Sequence, residues 1–315
     1  RSFEVEHVNA LWHLDFHHGS RRILLHSGQW KTPLALAIMD DRSRLACHVQ
    51  WYLSETAEIL VHGLSQAIQK RGLPRSLMTD NGGAMIAQET TEGLLRLSVV
   101  HRTTLPHSPY QNGKQEVFWA QLEGRLIAML EGVHDLTLPV LNDATQAWVE
   151  MEYNQKLHSA TAQTPLARFL AGPDVARTSP DSQTLRLAFT AQERRTQRRS
   201  DGTVSLAGRR FEIPSHYRAL QRITLRYAEW DLTRVYLADQ RSGEVLARLF
   251  PLDKAKNADG QRRALPQGPI KGIVPPQSSG PAPLLRKYLA DYAATGLPPA
   301  YLPKDELTLP TEERP

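Results

Sequence analysis

The chain has 315 residues, a formal charge of +5 and a pI near 9.3, enough length for one large domain and one or two small ones. Its 41% hydrophobic and 23% charged content is that of a soluble globular protein, and no run approaches the roughly 18 apolar residues of a membrane helix. A single cysteine, Cys47, excludes an intramolecular disulfide framework and points to a reducing, cytoplasmic setting. The opening RSFEVEHVNA has neither an initiator Met nor a signal-peptide pattern, so we expect a fragment without its natural N-terminus.

Taken in order, ALWHLDFHHG (10–19) reads as a strand entering a polar turn. RRILLHS and PLALAIMDD read as two more strands around the turn GQWKT, and RLACHVQWYL as a fourth. Cys47 lies in that last run as small core filler. In ETAEILVHGLSQAIQKRG, Ile59, Leu60, Leu64, Ala67 and Ile68 recur at helical spacing, with Gly72 as the stop. SLMTDNGG is a short strand running into a sharp turn, AQETTEGLLRLS a helix and VVHRTTL a strand. Long helices follow over about 113–131 and 138–156. This order predicts an α/β mixed sheet flanked by helices.

The composition then shifts. GTVSLAGRRFEIP, QRITLRYAEW, TRVYLAD and EVLARLF are short alternating runs between turns, the pattern of a small antiparallel β-barrel. Beyond 254 the Pro, Gly and Lys content predicts a largely disordered tail with a short helix in LLRKYLADYAA (284–294). The expected division is a catalytic core over 1–172, a linker with an arginine cluster over 173–199, a barrel over 200–254 and a tail over 255–315. The cluster ERRTQRR contributes Arg194, Arg195, Arg198 and Arg199, and Arg209 and Arg210 follow closely. Arginines sustained through a folded segment make a DNA backbone the expected partner.

Three acids stand where this architecture exposes side chains. Asp15 is near the end of the first strand, Asp80 ends LMTD where NGG turns the chain, and Glu116 opens the long helix. Each has an ordinary structural reading as a solvated strand end, an Asx-turn residue and a helix N-terminal acid. Asp40 and Asp41 are adjacent, face opposite ways on a strand and read as strand-end acids. Glu123 lies two turns beyond Glu116, about 10 Å away, too far for the same metal pair. His13, His17, His18 and His26 lack further ligands at zinc spacing and read as solvated or hydrogen-bonding groups.

The blocks WHLD (12–15), TDNGG (79–83) and SPYQNGKQE (108–116) resemble the three signatures of DDE transposases of the retroviral-integrase superfamily. The thirty-five residues between Asp80 and Glu116 match its D,D(35)E spacing, and AIMDDRSRLACHVQ resembles the strand between the first two acids. The resemblance covers about residues 8–170, and more loosely the later region is similar to the C-terminal β-barrel of Mu-type transposases. It implies an RNase H-like fold and a bacterial, cytoplasmic, DNA-associated polynucleotidyl transferase that cleaves 3′ ends and transfers strands. It implies two Mg²⁺ ions, replaceable by Mn²⁺, with Asp15 shared and Asp80 and Glu116 each completing one site.

The same resemblance gives Asn112 and Lys114 roles at the DNA and implies a multimer on paired ends. It also implies an AAA+ ATPase that selects target DNA and is met through the tail. Relatives carry an Arg and an aromatic residue after the catalytic Glu, whereas Val117 and Phe118 follow here. No N-terminal helix-turn-helix module is visible. Two alternatives stand beside the transposase reading: an RNase H-like nuclease without strand transfer, and a non-catalytic DNA-binding derivative.

Overall fold

The computed structural model describes residues 4–104, 113–252 and 280–297. The chain divides into two compact units, Arg1–Ala188 with Gln277–Pro315, and Phe189–Pro276.

The first unit is built on a five-stranded sheet in the order β5-β4-β1-β6-β7. Its strands are β1 (Trp12–His18), β4 (Leu34–Asp40), β5 (Ala46–Tyr52), β6 (Ser76–Thr79) and β7 (Val100–Thr103). β1, β4 and β5 form an antiparallel meander, while β6 and β7 run parallel to β1. The turn expected between the first strands itself supplies β3 (Trp30–Lys31), paired with β2 (Ile23–Leu24).

Parallel strands need crossovers, and the amphipathic runs supply them. Helix α1 (Ala57–Arg71) starts at Thr56, whose hydroxyl accepts from Ile59 N. It stops at Gly72, whose φ of 90° suits glycine. Its Gly63 lets the helix close on the sheet, since a Cβ there would lie 2.3 Å from Leu36 Cδ2. Helices α2 (Gly83–Ile86) and α3 (Gln88–Arg96) make the second crossover.

The opposite face is covered by α4 (Gly113–Gln121), its continuation as a π-helix over Leu122–Ile127, and α5 (Leu138–Met151). Trp51, Phe118, Leu122, Leu126 and Trp148 form the middle of that core. The edge strand β5 is closed by side-chain amides. Asn142 accepts from Trp51 N at 2.7 Å and donates to Trp51 O, and Gln146 donates to Val49 O. Asn154 makes the same pair of bonds with Ala46. Buried amides on α5 and on the 3-10 turn after it thus satisfy backbone groups that would otherwise form an open, adhesive edge.

Helices α6 (Pro165–Ala171) and α7 (Ser182–Ala188) follow. The expected linker 173–199 is therefore not extended chain: it holds α7 and the strand β8 (Ala191–Thr196). Helix α8 (Pro283–Ala294) forms where the tail was expected to return to helix, and it packs on α5 with Leu285 fully buried in the core. The apolar side of that helix has no reason to stay in water once α5 offers it a surface. The rest of the tail lies outside the described residues.

The second unit is a six-stranded sheet ordered β8-β11-β12-β13-β10-β9. Its remaining strands are β9 (Thr203–Leu206), β10 (Arg209–Glu212), β11 (Arg222–Ala228), β12 (Asp231–Ala238) and β13 (Val245–Pro251). A bridge between Arg198 and Thr203 nearly closes it into a barrel. Val204, Phe211, Ile223, Leu225, Val235, Leu237 and Leu249 alternate inward to fill it.

Candidate active site

The parallel register of β1 and β6 pairs Trp12 with Leu77 and His13 with Met78. Asp15 and Asp80 each lie two residues beyond the last pair, so both acids emerge at the same end of neighbouring strands, which run about 4.8 Å apart. Asp15 Oδ1 accepts from Phe16 N at 2.9 Å, and its Oδ2 accepts from Trp119 Nε1 of α4 at 3.2 Å. Asp80 turns the chain as an Asx residue, with its Oδ1 taking Gly82 N at 2.9 Å. Asn81 Nδ2 donates to Thr104 O at 3.0 Å and ties this turn to the end of β7.

Both carboxylates are half-buried. Burial raises the Asp15 carboxyl; the Trp119 bond lowers it and the charge of Asp80 raises it again, leaving a net upward shift. Among the described residues neither acid forms an ion pair, although nearby His17 also acts to lower the Asp15 carboxyl.

Gly82 serves a different purpose from the conformational one its sequence context suggests. Its φ is −59°, open to any residue, but a Cβ there would lie 3.1 Å from both Asp80 Oδ1 and Glu55 Oε1. Space beside the carboxylate is what glycine preserves.

Glu116 lies in the first turn of α4 and is exposed. Among the described residues no three His, Cys, Asp or Glu side chains gather at metal-holding distance; Asp80 acts on Asp15 through its charge, and Glu116 does not join them in such a group. Its helix nonetheless reaches the pair, since Trp119 sits one turn after Glu116 on the same side.

The remaining predicted residues are distributed as follows. Asn112 and the loop before it lie outside the described residues. Lys114 bonds Asp41, a fully buried carboxylate that also takes His13 Nε2 at 2.7 Å. Arg194 and Arg195 are exposed on β8, the latter paired with Glu193 at 2.7 Å. Arg198, Arg199 and Arg209 are exposed, and Arg210 meets Asp201 at 3.4 Å. Cys47 is buried in β5, and burial pushes its thiol well up.

Sequence reasoning missed Trp119, read His17 only as a solvated or hydrogen-bonding group, and set Glu123 aside. His17 stacks on Trp119 with centroids 4.9 Å apart and bonds Glu123 at 3.0 Å. The available signals were the period-two run His13, Asp15, His17 and the helical offsets of Trp119 and Glu123 from Glu116.

Residues 5–109 match the family model of the integrase core domain. This segment is similar to integrase core domains over about a third of the chain. The matched segment contains Asp15 and Asp80 and ends before Glu116. No curated protein matches the chain.

Among solved structures, the chain is similar to three from retroviruses. A chain of the simian T-cell lymphotropic virus intasome in complex with PP2A regulatory subunit B56 gamma is 15% identical, with 80% of this chain and 79% of that one covered and a TM-score of 0.47. The HTLV-2 integrase catalytic core domain in complex with magnesium (trimeric form) is 20% identical over 54% of this chain and 99% of that one, at 0.41. The BIV integrase catalytic core domain is 22% identical over 51% and 94%, at 0.40.

Proposed function

We propose that the chain is a DNA polynucleotidyl transferase that cleaves at the 3′ ends of a mobile element and joins the freed 3′-hydroxyls to target DNA. The observation that carries this is the β1–β6 pairing, which delivers Asp15 and Asp80 to the same end of neighbouring strands with no ion-paired cation on either among the described residues. Two such carboxylates form a hard-oxygen donor set that fits Mg²⁺ or Mn²⁺, and a cation would offset the burial and the Asp80 charge that raise the Asp15 carboxyl. Asp15 would be shared between two ions, with Asp80 and Glu116 each completing one site. When bound, the metals supply Lewis-acid stabilisation of the phosphate and activation of the attacking hydroxyl.

The chain's own part is placement. Phe16 N and Trp119 Nε1 orient the two oxygens of Asp15, and Gly82 N orients Asp80. Arg194, Arg195, Arg198, Arg199, Arg209 and Arg210 line the barrel unit as contacts for DNA backbone, and binding through them should weaken steeply with salt. Assembly would be a multimer on paired ends. An AAA+ ATPase partner would be met beyond α8, so the informative deletion is 298–315, which spares the buried Leu285.

The alternative is a DNA-binding derivative without catalysis. Joining of a labelled element end to plasmid DNA in Mn²⁺ separates these readings. Asp80→Asn should abolish it, and unchanged joining would sink the catalytic assignment. Cleaved ends without joined products would instead identify a nuclease.

A further inference from the structure

His13, Asp15 and His17 alternate along β1 and therefore share one face of it. Each is held by α4 or its π continuation. In the first turn Lys114 Nζ bonds Asp41 Oδ1, and the same oxygen takes His13 Nε2 at 2.7 Å. Five residues on, Trp119 Nε1 donates to Asp15 Oδ2 at 3.2 Å, and its ring stacks on His17 at an interplanar angle of 16°. Four residues further, Glu123 Oε1 bonds His17 Nε2 at 3.0 Å and accepts from Ser20 N at 3.1 Å.

The spacings agree. Five and four helical residues rise about 7.5 and 6 Å, and two strand residues advance about 6.7 Å. Helix and strand therefore run parallel and stay in step over three rungs.

Asp41 is well suited to anchor the first rung. Burial would raise its carboxyl, but the bonds from His13 and Lys114 and the lysine's charge outweigh burial and hold it at about 2. An ionised Asp41 makes His13 Nε2 the donor. Phe118 and Leu122 are fully buried on the core side of the same helix and supply its adhesion. Apolar contact is non-directional and tolerates sliding or rotation, whereas hydrogen bonds fix direction.

We propose that this ladder is a positioning device for Glu116: Lys114, Asp41, His13, Trp119, His17 and Glu123 lock α4 on β1 with the side carrying Glu116 and Trp119 turned toward Asp15. The inference rests on the metal-dependent reading of Asp15, Asp80 and Glu116. It gives Lys114 a task inside the protein, where the sequence pattern gave it a phosphate.

The test is calorimetric titration of Mn²⁺ into the full metal-free chain, beside hydrogen exchange of the α4 amides and duplex binding across a salt series. Glu116→Gln and Lys114→Met should each weaken Mn²⁺ binding roughly tenfold, the loss typical of residues that orient a ligand. The double variant should be no weaker than Glu116→Gln alone, because both changes remove one interaction. Lys114→Met should also speed exchange in α4 while leaving duplex affinity and its salt slope unchanged, and Lys114→Arg should restore Mn²⁺ binding.

Additive losses, or normal Mn²⁺ binding by Lys114→Met with a shallower salt slope, would overturn the ladder and leave the metal site standing. Unchanged binding by Glu116→Gln would overturn the metal-site reading and the ladder's purpose with it. Should Lys114→Met fail to fold, Glu123→Ala releases the third rung without touching Asp15 and carries the same expectations.

Discussion

Asp41 follows β4 and Asp15 lies on β1 beside it, so the two carboxylates share one sheet yet titrate in opposite directions. Burial pushes both upward. At Asp41 the bonds from His13, Lys114 and Val5 N reverse that push, whereas at Asp15 the nearest charge is another acid, Asp80. Asp40 takes Asn9 N, Ser43 N and the Ser43 hydroxyl, yet burial still leaves its carboxyl raised because among the described residues no cation pairs with it as Lys114 pairs with Asp41. An acid supplied with donors and a cation serves the fold. An acid set against another acid, with no ion-paired cation from the protein, is an arrangement that folding alone does not favour and that a metal would complete.

That contrast can be broken at either end. The largest effect is expected at Asp15→Asn, where DNA cleavage and joining should fall about a thousandfold, the several kcal/mol a Lewis-acid centre contributes. The same variant should melt higher than the parent without metal, because it removes a charge that burial and Asp80 both disfavour. A lower melting temperature would show that the Asp15 charge is compensated after all.

At the other end, Asp41→Ala leaves Lys114 and His13 without their buried partner. Unfolding in urea should register a loss of about 3 kcal/mol. A change within ~0.5 kcal/mol would place Asp41 among surface-like acids.

The pH dependence follows from the same residue. The Asp41 pKa is depressed from 3.8 to about 2, so its contribution is complete above about pH 4 and is lost as pH falls through about 2. The shift corresponds to about 2 kcal/mol. Thermal melts from pH 5 to 2 should therefore converge for wild type and Asp41→Asn at the acid end, and parallel curves would contradict the coupling.

The smallest effect is expected at Gly82→Ala. The new Cβ presses on the ends of Asp80 and Glu55, which can shift, so stability should change by less than about 1 kcal/mol. Displacing Asp80 should still lower the joining rate about tenfold. An unchanged rate would mean that the carboxylate tolerates movement.

Much of this was legible in the residues. Alternation in WHLDFHH marked β1, the 3.6-residue pattern from Ile59 to Ile68 marked α1, and Gly72 marked its end, because each feature is local. The short alternating runs after 200 announced the barrel for the same reason. The helix of residues 283–294 was legible as a helix, but nothing in its sequence said that α5 would bury Leu285.

The buried amides Asn142, Gln146 and Asn154 were read only as parts of a helix and its end. Their partners are backbone groups of an edge strand some ninety to a hundred residues away in the chain. The arginines of 194–199 looked like a connector because charge hides strand alternation, and only pairing with β11 shows β8 for what it is.

By itself, then, the sequence determined the elements, the candidate acids and their thirty-five-residue spacing, since propensity, periodicity and turn chemistry act within a few residues of chain. Tertiary structure alone decided which acids meet. Parallel pairing of β1 with β6 joins Asp15 to Asp80, and antiparallel pairing with β4 brings Asp41 to His13. Whether a carboxylate is neutralised or left to a metal depends on neighbours that only folding supplies.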